Sequence, residues 1–163
     1  MAYRIVSLAL LLSLFQGCYS SPSISSMSVD IKGEKYQLEL ALNTYEREHG
    51  LMDRHFLTED GGMLFVFPDA AERSFWMKNC YIDIDLMFLD SRGTVISTHQ
   101  MIIEDPRGEN ESPWLYEGRL KHYWSNGPSR FAIELSAGSL DRLGVSVNDK
   151  ILLDLPLLKN LAR

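Results

Sequence analysis

The residues Trp76, Lys78 and Asn79 lie in the stretch SFWMKN, which carries the chemically most suggestive side chains of the sequence. If this stretch continues a strand, Trp76 and Lys78 share one face and Asn79 lies on the other. A tryptophan beside a cation can hold a sugar or an anion. The structural alternative is a tryptophan packed at the end of a sheet, with Lys78 extending to solvent or pairing with an acid. We take these three residues as candidates for ligand binding.

Charged residues elsewhere could also form a site. Arg47 and Arg54 flank residues 50–52, and Asp83 and Asp85 alternate on one predicted strand. Because buried charges need partners, an ion pair between arginine and aspartate across the fold is the first interpretation, and Arg47, Arg54 and Asp85 join the candidate site. A hydrolase using Asp83 or Asp85 is the alternative, although two acids on one strand do not give the opposed pair of a glycosidase. The sequence contains neither a GxSxG nor an HExxH motif, so no catalytic motif identifies an enzyme.

Five residues carry sulfur or imidazole groups of the kind that suit Cu(I). Their spacing is not a recognised metal signature, and methionines in apolar runs usually fill gaps in a core. The sequence therefore predicts no metal and no cofactor. The residues are His49, Met52, His55, Met77 and Cys80.

Residues 104–129 form a polar segment interrupted by glycine and proline, and connections of this length are usually functional or mobile. Its aromatic residues could form a stacking platform for sugars, proteins or lipid headgroups, or could fold the segment onto the domain. Trp124 is therefore a further candidate for ligand binding. The aromatic residues are Trp114, Tyr116, Tyr123 and Trp124.

The N-terminal residues indicate export. Arg4 precedes an apolar run at 5–15, and small residues follow. This order is typical of a signal peptide. A helix over that run would span about 16 Å, too short to cross a membrane. We expect a signal peptide at 1–17 and a Ser-rich tether at 18–28; a buried N-terminal helix is the alternative.

Cys18 is a candidate for lipidation, because Gly17-Cys18 fits the end of a bacterial lipobox. Phe15 and Gln16 are less usual in such boxes, and cleavage after Ser20 is the alternative. In either case Cys80 loses its possible partner in an oxidising compartment, so a free buried thiol is predicted. A disulfide between Cys18 and Cys80 requires that the signal is retained or is cut earlier.

The elements that must position these residues follow from hydrophobic patterns behind the tether. Alternating apolar residues predict half-buried strands, and continuous apolar runs bounded by turn residues predict buried ones. The predicted fold is α+β and β-rich, with a mostly antiparallel sheet that curls toward a small barrel and two short helices. The predicted strands are 36–42, 63–67, 75–77, 82–89, 94–101, 131–135 and 150–155. The predicted helices are 45–49 and a second short helix that ends near Gly144.

Four segments of the sequence form a specific set of motifs: EREHGLMDR at 46–54, GGMLFVFP at 61–68, SFWMKNCYIDIDLMFLDSRGTVI at 74–96, and RFAIELSAG with GVSVNDKI at 130–151. Together, in this order and spacing, they resemble the DUF192 family. The resemblance implies a small β-rich domain, here at 29–163, an often secreted or anchored location, and no catalysed reaction. The chain departs from the family at Cys80, where threonine is usual, at Asp83, where proline is usual, and in the longer segment 104–129.

The formal net charge of −6 and the scattered basic residues argue against nucleic acid as a partner. We expect a non-catalytic binding or accessory module of the cell envelope, periplasmic or at the cell surface and attached to the membrane if Cys18 is lipidated. Its strand-end pocket near Trp76 and Lys78, partly covered by the aromatic segment, would hold an envelope glycan, a peptide or a protein. The alternatives are a hydrolase using Asp83 or Asp85, and a purely structural role in envelope assembly.

Overall fold

The computed structural model describes residues 25–162, and this range forms an α+β domain with eight strands and four short helices. The strands are β1 (Ser26–Ile31), β2 (Glu34–Ala41), β3 (Gly61–Ala71), β4 (Ser74–Phe75), β5 (Ile84–Leu89), β6 (Val95–Met101), β7 (Tyr123–Trp124) and β8 (Ser129–Ser136). The helices are α1 (Thr44–His49), α2 (Pro113–Arg119), α3 (Ser139–Leu143) and α4 (Leu155–Leu161).

Six strands form one mixed sheet in the order β1-β2-β3-β8-β5-β6. The β2 and β3 strands run parallel, and the other neighbours in this sheet are antiparallel. The β1 and β6 strands are the two edges of this order, so the sheet is open and the predicted curl toward a barrel is not confirmed.

The central strands β3 and β8 are buried on both faces. Residues 61–67 of β3 are all buried, as expected for a continuous apolar run, and successive side chains point alternately into two cores. The first core includes Tyr36, Leu38, Leu64, Val66, Met87, Phe131, Ile133 and Leu135, and the second includes Met63, Phe65, Phe67, Leu86, Phe88, Met101 and Ala132.

Several predicted elements are confirmed. The β5–β6 hairpin forms as expected, with a turn in which the Asp90 carboxylate accepts hydrogen bonds from the amides of Arg92 and Thr94. The helix that precedes Gly144 also forms as expected, and Gly144 ends it in a left-handed conformation.

Other predicted elements are wrong. Residues 75–77 do not join the main sheet; β4 ends at Phe75 and pairs with β7 in a separate two-stranded ribbon. The predicted strand 150–155 is reduced to an isolated bridge between Thr94 and Lys150, and α4 begins at Leu155. Two helices were expected, and α2 and α4 are additional to them within the described range.

The N-terminal edge of the domain lies within the predicted tether, because β1 begins at Ser26 and pairs with β2. The predicted signal peptide and Cys18 lie outside the described residues. In the part of the chain that the structure describes, no helix has the length and apolar character needed to cross a membrane.

Candidate functional site

A pocket of about 420 Å³ opens on the face of the sheet that carries the second core. It lies between α1, strand β3 and the segment around β4. Its apolar lining includes Leu51, Met52, Phe65, Phe67, Phe75 and Trp76. Its charged lining residues are Arg47, Glu48, Asp69, Arg73 and Glu134.

The aromatic wall of the pocket is built by β3 and β4. Phe65 and Phe67 lie two residues apart on one face of β3, and the ring of Phe75 packs edge-on against both, with ring centroids 4.8 and 6.5 Å away. Trp76 follows β4 directly and is partly buried. The wall can therefore hold the apolar face of a ligand.

Helix α1 places its C-terminal turn beside this wall. Asn43 caps the helix, since its side chain accepts a hydrogen bond from the Glu46 amide while the Glu46 carboxylate accepts one from the Asn43 amide. Gly50 ends the helix with a φ of 52°, and a Cβ atom there would lie 3.3 Å from the ring of Phe65. This tight approach lets the helix contact the sheet at the pocket.

Two guanidinium groups lie over the ring of Phe67 in the pocket wall. The Cζ atom of Arg73 lies 4.3 Å from the ring centroid, and that of Arg47 lies 5.7 Å away. Arg47 donates to the carbonyl oxygens of Leu42 and Val66, whereas Arg73 pairs with Asp69. Burial, and then the charge of Arg73, lower the pKa of Arg47, so a ligand anion would relieve the repulsion between the two cations.

Glu134 is the most unusual polar residue of the pocket. It lies on the central strand β8, is only 5% exposed, and its Oε2 atom has no hydrogen-bond partner among the described residues. Burial raises the pKa of this carboxyl group to about 8, although the nearby charge of Arg54 acts in the opposite direction. At neutral pH the group is therefore mostly a neutral carboxylic acid, which can donate a hydrogen bond.

The Cys80 thiol also lines the pocket. Burial, followed by the charges of Glu134 and Asp53, raises its pKa to about 12. Because the thiolate is the nucleophilic form, this environment does not activate Cys80 for covalent catalysis. Within the described residues its thiol is free, and it donates weakly to the Lys78 carbonyl oxygen.

Of the residues that the sequence nominated, Trp76 and Arg47 line the pocket, and Lys78 and Asn79 do not. The Lys78 ammonium lies 5.5 Å from the centroid of the Trp76 ring and pairs with Glu117 of α2 at 2.5 Å. Residues 76–79 are not in a strand, so the predicted alternation of faces is wrong. Asn79 has a φ of 51°, and its backbone N–H donates a hydrogen bond to the Tyr116 hydroxyl, which connects the turn to α2.

The predicted pairing of arginine with aspartate across the fold is also wrong. Arg54 instead binds Glu39 through two hydrogen bonds of 2.6 and 2.7 Å. The Asp85 carboxylate is 2% exposed and accepts from the Leu140 amide, so it holds the start of α3. Asp83 accepts from the amide of Ile103. Neither aspartate lines the 420 Å³ pocket, so this pocket does not support the hydrolase alternative.

The aromatic segment does not cover the pocket as expected, because none of residues 104–129 lines it. Tyr116 and Tyr123 are buried and hold the segment against the domain. Trp124 is 48% exposed and Trp114 is 72% exposed, so these two tryptophans remain available to solvent. Trp124 packs beside the imidazole of His122, in the ribbon that β7 forms with β4.

The five residues considered as copper ligands are distributed over different surroundings. His49, Met52 and Cys80 line the pocket, whereas His55 stacks on Tyr81. In the described range, no three histidine, cysteine, aspartate or glutamate side chains are grouped so that they could hold a metal ion.

Sequence reasoning missed Glu134 and Arg73. Glu134 alternates with apolar residues of β8, and such a pattern predicts a solvent-facing side chain. The available signal was the wholly apolar run 63–67, because a sheet that buries such a strand on both faces also buries both faces of the neighbouring strand.

Comparisons with known proteins agree with the resemblance of the sequence motifs. The model of the DUF192 family, described as an uncharacterised ACR, matches residues 27–153. A comparison with curated proteins finds no match.

Two crystal structures are similar to the domain. One is of a proposed transcription regulator from Sinorhizobium meliloti 1021; it is 31% identical, the similarity covers 80% of this chain and 97% of that one, and the TM-score is 0.60. The other is of a protein of unknown function from Novosphingobium aromaticivorans DSM 12444, with 25% identity, 78% and 84% coverage, and a TM-score of 0.60. The family match over most of the chain, together with the similarity to these structures, shows that this protein belongs to the DUF192 family.

Proposed function

We propose that this protein is a non-catalytic binding module of the cell envelope, and that the 420 Å³ pocket takes a fragment of a glycan or a peptide that carries an acidic group. The observation that carries the proposal is the composition of the pocket wall. Aromatic rings form an apolar surface, and the two guanidinium groups over Phe67 lie beside it.

The charged part of the wall supports an acidic ligand. The buried Nε atom of Arg73 has no hydrogen-bond partner among the described residues, so this donor is available to an acceptor that enters the pocket. Guanidinium groups recognise carboxylate and phosphate with well-defined geometry. The Trp76 ring gives a sugar ring or an apolar side chain a surface on which to pack.

The location of the module remains a proposal that rests on the sequence. The apolar run at 5–15 and the small residues behind it predict export. The regulatory role proposed for the Sinorhizobium relative is not adopted, because a chain with a net charge of −6 gains little from binding the phosphate backbone of DNA.

Binding is best tested on arrays of glycans, peptidoglycan fragments and short peptides, followed by titration of each compound that binds. We expect wild-type protein to bind acidic compounds, and Trp76→Ala to lose that signal while it keeps its circular dichroism spectrum and unfolding midpoint. Trp124→Ala is the matched control, because Trp124 is a partly exposed tryptophan that does not line the pocket.

A second variant tests the charged part of the wall. Arg73→Gln should weaken binding of acidic compounds at least about tenfold, because it removes one member of a charge-assisted hydrogen bond. The proposal is abandoned if no compound on the arrays binds, or if Trp124→Ala loses the signal as completely as Trp76→Ala.

A further inference from the structure

Glu134 occupies the inner end of the pocket without a hydrogen-bond partner for its Oε2 atom. A Cβ atom on Gly50 would lie 3.9 Å from this oxygen and 3.3 Å from the ring of Phe65. The carboxyl group therefore lies at the Phe65 end of the aromatic wall. A buried polar group of this kind is costly unless something binds to it, which makes the unpartnered oxygen a pointer to a ligand.

The second unpartnered group of the pocket lies at the other end of the same wall. The Arg73 guanidinium is centred over Phe67, and its buried Nε atom has no partner among the described residues. Phe65 and Phe67 are two residues apart on β3, which corresponds to about 7 Å along the strand. The pocket thus presents two groups without hydrogen-bond partners among the described residues, separated by roughly the length of two residues of an extended peptide.

We propose that the carboxylic acid of Glu134 donates a hydrogen bond to an amide carbonyl of the ligand, whose carboxylate is bound by Arg73 at the other end of the wall. The ligand is therefore an N-acylated acid. This chemistry is offered by the C-terminal end of a peptide and by an N-acetylated acidic sugar. The inference rests on the proposed function and deepens it by naming the chemical class of the ligand.

A neutral acceptor fits the inner end better than a cation. Moving an ammonium group into a site this deeply buried costs its hydration, and that cost often exceeds the gain from an ion pair. A carbonyl oxygen requires only that Glu134 keeps its proton, and the raised pKa of about 8 provides that form at neutral pH.

Binding should therefore weaken when Glu134 loses its proton. Arg54 and Cys80 are the charged or titratable neighbours that are electrostatically coupled to it, and the other charged or titratable groups of the lining lie on α1 and around the end of β3. Those groups are Arg47, Glu48, His49, Asp69 and Arg73. Since His49 is titratable as well, its contribution needs a separate variant.

The experiment is calorimetric titration at pH 6 and pH 9 with N-acetyl-alanyl-alanine, its C-terminal amide, and N-acetylmuramic acid. For the peptide or the sugar acid, we expect about a tenfold loss of affinity of the wild-type protein between the two pH values. The amide should bind at least about tenfold more weakly than the free acid at pH 6. Binding by only one of the two acids assigns the source of the ligand.

Two variants decide the role of Glu134. Glu134→Gln keeps a hydrogen-bond donor that does not titrate, so it should bind at pH 6 and lose the difference between pH 6 and pH 9. His49→Gln should keep that difference. The inference is overturned if wild-type affinity rises with pH, or if Glu134→Gln retains the full pH dependence.

Failure of this inference can be told apart from failure of the proposed function. If these three probes do not bind but compounds on the arrays do, and Trp76→Ala abolishes their signal, the N-acylated acid is wrong and the binding module stands. If the arrays give no signal either, both are wrong.

Discussion

At the scale of single residues, the most informative feature is the burial of Glu134, a charged type of residue on the central strand β8. Glu134 shares β8 with Phe131, Ile133 and Leu135, which enter the first core. On a sheet with one solvated face, Glu134 would point to water. Here the second core covers that face, and the acid is enclosed beside Gly50 and Phe65.

This environment makes the stability of the fold depend on pH. The pKa of Glu134 is about 8 in the folded protein against 4.5 for an unperturbed glutamate, so the folded state holds an extra proton between these values. The resulting contribution to the free energy of unfolding is fully present below about pH 4.5 and is lost as the pH rises through about 8. We expect the contribution to be on the order of 5 kcal/mol.

Chemical denaturation of wild-type protein and Glu134→Gln at intervals from pH 5 to pH 9 measures this contribution. The variant should lose the part of the pH dependence that Glu134 causes. As the pH rises from 5 to 9, the stability of the wild-type protein should therefore fall relative to that of the variant. Parallel curves over the whole range would contradict a raised pKa at this position.

The candidate site was predictable only in part, again for reasons that lie in single residues. Trp76 and Arg47 were found because an aromatic ring and a cation are conspicuous in sequence, and both line the pocket. Lys78 is equally conspicuous, but its ion pair with Glu117 depends on where α2 folds, which no local pattern specifies. Arg73 gains its significance from the ring of Phe67 beneath it.

At the scale of elements, alternation predicts the regular strands and proline marks the helices that were missed. The strands β2 and β8 and the β5–β6 hairpin follow from their apolar periodicity. Helices α2 and α4 each begin with a polar N-cap residue and a proline in the first turn. Before α4, the apolar residues that precede Pro156 favour a strand, and the sequence therefore predicts a strand at 150–155, where the helix begins.

The side chain of Asp85 connects strand β5 to helix α3 through a hydrogen bond. It alternates with the Ile84 and Leu86 side chains of the second core, so it lies on the opposite face of the sheet from the pocket. Its carboxylate accepts from the Leu140 amide at 2.8 Å, at the start of α3. Burial raises the pKa of Asp85, and the backbone hydrogen bonds partly oppose that shift.

We predict that Asp85→Ala lowers the free energy of unfolding by about 1–3 kcal/mol, because it leaves buried amide groups without an acceptor. Asp83→Ala is the matched control and should cost less, since its single amide partner, that of Ile103, belongs to an exposed residue. Urea unfolding gives both values. Ligand affinity should be unchanged in both variants. If Asp85→Ala loses affinity under conditions in which the variant is fully folded, Asp85 belongs to the binding site.

At the scale of the whole molecule, the two faces of the sheet have different roles. The first core packs against α3 and α4, with Leu140, Leu143 and Leu158 buried in it. The second core ends at the open pocket. The apolar packing of the first core stabilises the fold. The domain can therefore bury a costly group such as the Glu134 carboxyl on the pocket face and still remain folded.

Lipidation of Cys18 would also limit the distance between the domain and the membrane, because β1 begins soon after this residue. If Cys18 is the lipidated first residue of the mature chain, seven residues separate it from Ser26. The chain from Cys18 to Ser26 spans at most about 29 Å when fully extended. The pocket would then be held close to the membrane surface, within reach of ligands anchored in the envelope.

The last prediction concerns this attachment. We expect wild-type protein produced in a bacterial host to sediment with the membrane fraction, and Cys18→Ser to be recovered in the soluble fraction, because the variant lacks the thiol that carries the lipid. Mass spectrometry of the mature wild-type protein should show a first residue Cys18 with added acyl mass. Cys80→Ser is the matched control and should still sediment with membranes, since Cys80 lines the pocket of the folded domain. Recovery of wild-type protein in the soluble fraction, with Ser21 as its first residue, would instead establish cleavage after Ser20 and an untethered domain.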